Sequence, residues 1–184
     1  MQDEDYMKQL AIGHETAFDA LVFRYHKPLH GYVYRLVQDE KLAEDIVQDT
    51  FLNIYQQGKK GFIPDLFKPW LYKIATNHCK DYWKKASTRR EHSTDDQVMK
   101  SKGQIHHIID HQHERQWMVE SLNQLPINYR TVLFLRFYQD LTYAEIAVTM
   151  DRSINTIKTW LTRALKQLEI ILKEDERKEN GVNE

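Results

Sequence analysis

The chain has 184 residues, of which 41% are hydrophobic and 29% charged, and its formal net charge is −1. This length accommodates one medium domain or two small ones, but not an elaborate active site, and we expect two compact modules. No stretch approaches the roughly 18 to 20 apolar residues that a membrane helix needs. The acidic residues 3–5 do not resemble the start of a secretory signal. We therefore predict a cytoplasmic protein without membrane insertion.

Catalytic and cofactor-binding motifs are missing from the sequence. It contains no P-loop, dinucleotide-binding glycine fingerprint, nucleophile elbow or zinc-protease motif. Cys79 is the single cysteine, which excludes an intramolecular disulfide and dithiol chemistry. A free cysteine usually behaves as a small buried hydrophobic residue, and we interpret Cys79 in that way. We expect neither an enzyme nor a cofactor.

Charge is strongly segregated along the chain. Residues 1–55 carry 10 acidic and 5 basic residues, a net charge of −5, whereas residues 56–90 carry 2 acidic and 9 basic residues, a net charge of +7. Positive charge concentrated in one segment indicates phosphate contact. A solvated basic face without a ligand is the alternative interpretation.

Few glycines and prolines interrupt the chain, so long helices are expected and the fold class is predicted to be all-α. Apolar residues three or four apart predict a first helix over 15–37, with Pro28 as a break or kink. A second helix is predicted over 40–57 and a third over 67–85. The loop between them runs from Gly58 to Leu66 and is expected to bend at its glycines.

A change of composition divides the two modules. Polar residues and histidines prevail from Ser87 to His113, which predicts a flexible linker between two small helical domains. Short helices are then predicted over 117–125 and 129–138, followed by two more. The predicted domain boundaries are 1–86 for the first domain, 87–113 for the linker, 114–173 for the second domain and 174–184 for a charged tail.

A helix-turn-helix is predicted in the second domain. Thr142 and Glu145 match a capping box, which predicts a helix start. The turn at residues 151–153 ends in Ser153, a good N-cap for the next helix. On that helix, residues 154–168 turn an apolar face inward and basic or small polar residues outward, as a reader of the DNA major groove requires. An ordinary amphipathic helix pair is the alternative.

Two faces of the first domain also stand out. The helix over 40–57 has an acidic and polar stripe made of Glu44, Asp45, Gln48, Asp49 and Asn53, which favours a basic protein partner. The helix over 67–85 interleaves aromatic residues with lysines, a composition typical of stacking on nucleic-acid bases. From apolar spacing, we assign Trp70, Leu71, Ile74 and Tyr82 mainly to the core.

At these residues the sequence resembles the extracytoplasmic-function (ECF) sigma factors of the sigma-70 superfamily. Residues 43–51, AEDIVQDTF, resemble the family's motif for binding core RNA polymerase. Residues 70–77, WLYKIATN, with Asp81, resemble its −10-reading helix, and residues 141–147 with 155–164 resemble its −35-reading helix-turn-helix. Trp160 and Asn155 depart from residues that are common in the family. The three motifs occur in the family's order and span about 130 residues.

The resemblance implies three sets of site residues. It implies core-polymerase binding by Glu44, Asp45, Gln48, Asp49 and Phe51. It implies −10 DNA binding by Phe62, Lys73, Asn77, Lys80, Asp81, Lys84 and Lys85. It implies −35 DNA binding by Arg152, Asn155, Thr156, Lys158, Thr159, Thr162, Arg163 and Lys166.

The resemblance also implies the partners and the biological role. We expect the chain to bind promoter DNA and core RNA polymerase, at its β′ clamp helices and β flap, to serve a stress or envelope regulon, and to be controlled by an anti-sigma factor. Alternatives are a helix-turn-helix regulator that binds duplex DNA alone and an interaction adaptor such as an anti-sigma antagonist. No metal site is expected, although the linker histidines include an i, i+4 pair, and they are His106, His107, His111 and His113.

Overall fold

The computed structural model describes residues 2–91 and 112–180, and within these ranges it contains α-helices and no β-strand. The prediction of an all-α fold with a helix-turn-helix is confirmed. The chain divides into two compact units, of which the first contains α1 to α4 and the second contains α5, α6, α8 and the first five residues of α7. The helices are α1 (Asp3–Ala11), α2 (Thr16–Val37), α3 (Glu40–Lys59), α4 (Phe67–Glu91), α5 (Gln112–Asn123), α6 (Ile127–Phe137), α7 (Tyr143–Met150) and α8 (Ile154–Asn180).

The core of the first unit lies where α2, α3 and α4 pack together. Each helix contributes an apolar stripe at the three- and four-residue spacing of an amphipathic helix. α3 begins after Asp39, whose carboxylate accepts a hydrogen bond of 2.9 Å from the backbone N–H of Leu42. The largest fully buried side chains of this core are Leu21, Leu29, Tyr32, Ile54, Phe67, Leu71 and Tyr72.

Helix α1 was not expected from the sequence, because its nine residues carry only a short apolar pattern among acidic residues. Met7 and Leu10 are nevertheless fully buried. A Cβ atom on Gly58 would lie 2.5 Å from the Cδ2 atom of Leu10, far inside van der Waals contact. Glycine at position 58 therefore allows α1 to approach α3 closely.

Three local details of the first unit refine or correct the sequence-based expectations. α2 continues through Pro28, so the proline does not break the helix, and a kink there stays a prediction. Gly58 lies inside α3 and not in the following loop, and Gly61, with φ of 85°, is the glycine that turns the chain. α4 extends to Glu91, beyond the helix end predicted at residue 85.

The second unit has the capping predicted for a helix-turn-helix. The backbone N–H of Thr142 donates to the Glu145 carboxylate at 2.7 Å, and the N–H of Glu145 donates back to the Thr142 hydroxyl at 3.3 Å. Ser153 accepts a 3.1 Å hydrogen bond from the N–H of Thr156 at the start of α8. α8 then continues to Asn180, well beyond residue 168 where the reading pattern ends.

The first helix of the second unit begins earlier than the sequence predicts. α5 begins at Gln112, five residues before the predicted helix start at Trp117. Residues 92–111 lie outside the described residues, as do 181–184 at the end of the predicted tail. Among the described helices, none is both long enough and apolar enough to cross a membrane.

Candidate nucleic-acid and protein interfaces

The exposed face of α3 carries the predicted acidic stripe. Glu44, Asp45, Gln48 and Asp49 are all exposed, and Ala43, Ile46, Val47 and Thr50 of the same helix are buried. The amide of Gln48 donates to the Glu44 carboxylate at 3.5 Å. This spacing places the four polar residues on two successive turns of one helix face.

Two apolar residues at the end of this stripe have opposite environments. Leu52 lies one turn after Gln48 and Asp49, and 54% of its surface is exposed, so the stripe ends in an apolar residue that the sequence analysis missed. Phe51 is only 7% exposed and meets Phe18 edge to face, with ring centroids 6.2 Å apart. Phe51 therefore packs in the core behind the stripe, and its direct contact with core polymerase stays a prediction.

One face of α4 collects most of the predicted −10 residues. Asn77, Asp81, Lys84 and Lys85 are exposed, and Lys73 and Lys80 are half-buried. The residue before Asn77, Thr76, is fully buried. Asn77 therefore lies on the solvent-facing side of α4, next to the buried side, with its amide available as both donor and acceptor.

The loop before α4 presents apolar side chains to solvent. Phe62, Ile63 and Leu66 are 45%, 39% and 49% exposed. The ring of Phe62 lies against Trp70, with centroids 5.2 Å apart. Trp70 precedes Asn77 by seven residues, which is two helical turns or about 10 Å on the same helix face. An aromatic surface and a hydrogen-bonding amide thus follow one another along α4.

The assignment of aromatic residues of α4 to the core was partly wrong. Leu71 is fully buried, but Trp70 and Ile74 are half-buried and Tyr82 is 41% exposed. Apolar periodicity identifies the side of a helix but not where the covering helices end. Trp70 and Tyr82 therefore join the predicted site residues on this surface.

The outward face of α8 and the turn before it hold the predicted −35 residues. Arg152, Asn155, Lys158 and Arg163 are exposed, and so are Thr159, Thr162 and Lys166. Thr156 is half-buried against the turn. An open depression of about 310 Å³ lies on this face and is lined by Lys158, Thr159, Thr162 and Arg163. Basic and hydroxyl groups therefore line a shallow concave surface.

The threonine hydroxyls on α8 already have partners. Thr159 donates to the carbonyl oxygen of Asn155 at 2.9 Å, and Thr162 donates to that of Lys158 at 3.0 Å. Each hydroxyl uses its proton in a bond to the helix backbone, so its oxygen can still accept a hydrogen bond and its methyl group can still make apolar contacts with a ligand. These threonines suit contacts with donors or with thymine methyl groups.

Tyr143, at the start of α7, is a surface residue that the sequence analysis did not assign to a site. The Lys158 ammonium lies 6.0 Å from the centroid of its ring, and the Arg136 guanidinium lies 5.5 Å from it. Arg136 also donates to the carbonyl oxygen of Leu141 at 3.1 Å. Cation–π contacts of this kind orient flexible cationic side chains. Tyr143 is recognised as part of this surface only because Lys158 lies close to it in space, and the sequence contains no signal of that contact.

The side chains of the linker histidines lie outside the part of the chain that the structure describes. His106, His107 and His111 lie outside the described residues, and nothing is described of the His113 side chain. Among the residues that the structure does describe, no group of three or more histidine, cysteine, aspartate or glutamate side chains could hold a metal ion.

Two family models match the chain in separate segments. The model "Sigma-70 region 2" matches residues 21–89, which include α3 and most of α4. The model "Sigma-70, region 4" matches residues 115–168, which include the helix-turn-helix. The two matched segments thus contain all the predicted site residues.

Curated relatives are similar over nearly the whole chain. The RNA polymerase sigma factor SigV of Bacillus subtilis is 34% identical over 163 residues, which cover 88% of this chain and 89% of the relative. The RNA polymerase sigma-H factor of Pseudomonas aeruginosa is 27% identical, over 91% of this chain and 92% of the relative. The ECF RNA polymerase sigma-E factor of Escherichia coli is also 27% identical, over 92% and 93%.

Solved structures show the same fold. The structure of CnrH in complex with the cytosolic domain of CnrY matches with a TM-score of 0.72 at 23% identity, over 94% of this chain and 98% of that chain. The sigma factor RpoE in complex with the anti-sigma factor NepR, from Bartonella quintana, matches with a TM-score of 0.68 at 25% identity, over 85% and 96%. The chain belongs to the sigma-70 family of RNA polymerase sigma factors, within the ECF group, and so is a transcription initiation factor and not an enzyme.

Proposed function

We propose that this sigma factor recruits core RNA polymerase through α3 and recognises promoters through α4 and α8. The observation that supports this most is the surface at the start of α4, where the ring of Phe62, in the preceding loop, lies against the half-buried Trp70, and the exposed Asn77 follows Trp70 two turns later on α4. Stacking together with edge-directed hydrogen bonds is how proteins bind an unpaired base. Family membership supports the same assignment.

The acidic stripe of α3 is the proposed contact with the β′ clamp helices of core polymerase. Asp45 and Asp49 supply charge that accelerates association with a basic partner. Leu52 supplies an exposed apolar side chain beside them, and the core of a protein interface is more apolar than its rim. The second domain is proposed to contact the β flap.

The −10 surface works at the step where the promoter melts. Unstacking a base costs a few kcal/mol, and stacking on an aromatic side chain returns about 1 to 3 kcal/mol. We assign stacking to Phe62 with Trp70 and base-edge hydrogen bonds to Asn77. The cations Lys73, Lys80, Lys84 and Lys85 follow the strand's phosphates, while Asp81 disfavours phosphate next to Asn77.

The −35 surface reads duplex DNA with α8. We assign phosphate contacts to Arg152, Lys158, Arg163 and Lys166, because Lys158 and Arg163 line the depression on α8 and the other two are exposed cations of the same helix-turn-helix. Thr156, Thr159, Thr162 and Asn155 face base edges. Tyr143 orients Lys158 towards the DNA.

Control by an anti-sigma factor is the last part of the proposal. The relative RpoE is a sigma factor in complex with the anti-sigma factor NepR. We propose that an anti-sigma factor holds this chain inactive, that the chain serves a stress or envelope regulon, and that it acts in the cytoplasm with core polymerase.

A promoter selection tests the proposed function and identifies the target. Core polymerase is incubated with the chain, transcripts from a library of randomised −35 and −10 elements are sequenced, and core polymerase alone is the control. Enrichment of two sequence elements at a fixed spacing supports the proposal. Equal transcript sets with and without the chain would reject it.

A further inference from the structure

Glu4 of α1 reaches the beginning of the helix that carries Asn77. Its carboxylate accepts a hydrogen bond of 2.8 Å from the backbone N–H of Phe67, the first residue of α4. The first N–H groups of a helix have no partner within it. Leu66, which precedes Phe67, has an apolar side chain that cannot accept such a bond. Glu4 therefore caps α4 from a separate helix, and its negative charge also favours the helix dipole.

The Glu4 carboxylate is on an anchored helix. One oxygen of Asp3 accepts from the Arg24 guanidinium and the other accepts from the Tyr25 hydroxyl, which ties α1 to α2. Met7 and Leu10, on the inner face of α1, are fully buried. These contacts hold α1 in place near both of its ends, so the backbone that carries Glu4 is fixed relative to α2.

A series of ring contacts connects the capped residue to the exposed loop. The ring of Phe67 lies 5.4 Å from Tyr25 and 6.1 Å from Trp70, measured between centroids. Trp70 in turn lies 5.2 Å from Phe62. Phe67 is fully buried, whereas Phe62 is 45% exposed. The residue that Glu4 holds is thus two ring contacts away from the proposed stacking surface.

We propose that Glu4 is a positioning residue for −10 recognition. By fixing the first turn of α4, it holds Phe67 and Trp70, and through them Phe62, in the arrangement that receives an unstacked base. This inference rests on the proposed function of α4. α1 lies before the matched segment at residues 21–89, so the cap comes from outside the part of the chain that the region 2 model describes.

Two readouts on the full chain test the inference. Amide hydrogen exchange by NMR measures how firmly the Phe67 N–H is held in the free protein. Holoenzyme assembled with core polymerase is then titrated with single-stranded −10 oligonucleotides, each base varied in turn. The variants are Glu4→Ala, Glu4→Gln, which keeps an acceptor oxygen, and Glu4→Asp, which keeps the charge but shortens the reach. The matched control is Asp5→Ala, because Asp5 bonds within α1 to Gln2 and Lys8.

In Glu4→Ala, the Phe67 amide is expected to exchange about tenfold faster, since a bond to a charged acceptor is lost. The preference for the best base should fall about threefold or more, with affinity for core polymerase unchanged. Glu4→Gln should keep most of both properties and Asp5→Ala all of them. If Glu4→Ala does not fold, the same two measurements are made on Glu4→Asp, whose shorter side chain should also lose the bond and therefore show faster exchange at Phe67 and a weaker base preference.

Two results would overturn the inference. One is unchanged exchange at Phe67 in the Ala and Asp variants, and the other is faster exchange with undiminished base preference. A wild-type holoenzyme without any base preference would instead reject the proposed −10 function, and the positioning role with it. Failure of the Glu4 role and failure of the −10 function are distinguishable, because the first is seen only in the Glu4 variants and the second already in the wild-type holoenzyme.

Discussion

The Tyr32 hydroxyl lies 2.7 Å from the hydroxyl oxygen of Thr76, and both side chains are fully buried between α2 and α4. Thr76 donates its own proton to the carbonyl oxygen of Tyr72 at 2.6 Å, so it accepts from Tyr32. Burial raises the pKa of Tyr32 well above its ordinary value, which keeps the hydroxyl protonated as a donor. This bond ties α4 to α2 inside the core, and the next residue, Asn77, faces solvent.

Thr76→Val and Asn77→Ala should therefore have opposite effects. Thr76→Val leaves the buried Tyr32 hydroxyl without its acceptor and should lower the free energy of unfolding by about 1 to 3 kcal/mol. Base preference on −10 oligonucleotides should persist. Asn77→Ala should cost less than about 0.5 kcal/mol, as an exposed substitution does, but should weaken that preference. Loss of stability without loss of preference in Asn77→Ala would reject its recognition role.

Charge reversal on α3 should weaken binding to core polymerase. Asp45→Lys combined with Asp49→Lys places two cations against the basic partner, and affinity should fall about tenfold or more, mostly through slower association. Asp19→Lys, an exposed reversal on α2, is the control and should bind normally. Binding is measured by fluorescence anisotropy at two salt concentrations. Equal affinities for a folded double variant and the wild type would exclude α3 from the interface.

Cations on α8 should set the salt dependence of −35 binding. Lys158→Ala and Arg163→Ala should each weaken binding across sequences and reduce the slope of log K against log salt by about one. Lys173→Ala removes a cation that is paired with Glu169 on the same helix, and its slope should not change. Duplex binding by holoenzyme over a salt series provides the measurement. Wild-type slopes in both test variants would show that α8 does not contact phosphates there.

Gly58 should be intolerant of a side chain. The Cβ atom of Gly58→Ala would overlap Leu10, and overpacking of this kind costs about 1 to 3 kcal/mol. Gly31→Ala, in α2, meets only the end of the Arg35 side chain at 3.0 Å and should be neutral or stabilising. Urea unfolding of both variants separates these outcomes. A Gly58→Ala protein as stable as the wild type would mean that α1 does not pack closely on α3.

Cys79 should be chemically silent in the folded protein. It is fully buried, and burial raises its pKa to about 12, so almost no reactive thiolate exists near neutral pH. Labelling by a thiol reagent should therefore follow the rate of unfolding and accelerate with denaturant. Rapid labelling of native protein, with the helical signal retained, would contradict the buried environment.

Apolar periodicity predicted most helices to within a few residues, most closely where a helix buries one continuous stripe, as α2 and α3 do. It missed α1, whose two buried residues, Met7 and Leu10, are too few to show a period. It also misassigned Gly58, since a glycine that allows close packing and a glycine that turns the chain look alike in sequence. Only tertiary contacts distinguish them.

The candidate surfaces were likewise predictable from the sequence only in part. Charge and helical spacing were sufficient to group the α3 stripe and the α8 cations on single helix faces. The sequence could not separate Phe51, which is buried, from Leu52, which is exposed, because adjacent apolar residues differ only in rotation about the helix. The Glu4 cap joins residues 63 positions apart and left no local signal.

Run-off transcription is the most direct test of the claim that this chain gives core polymerase its promoter specificity. The template is the best sequence from the promoter selection, with core polymerase and the chain added separately and together. We predict a transcript only from the combination, with none from a template whose −10 element is scrambled. Specific binding of duplex DNA by the chain alone, with no transcript when core polymerase is added, would contradict the account and indicate a conventional helix-turn-helix regulator.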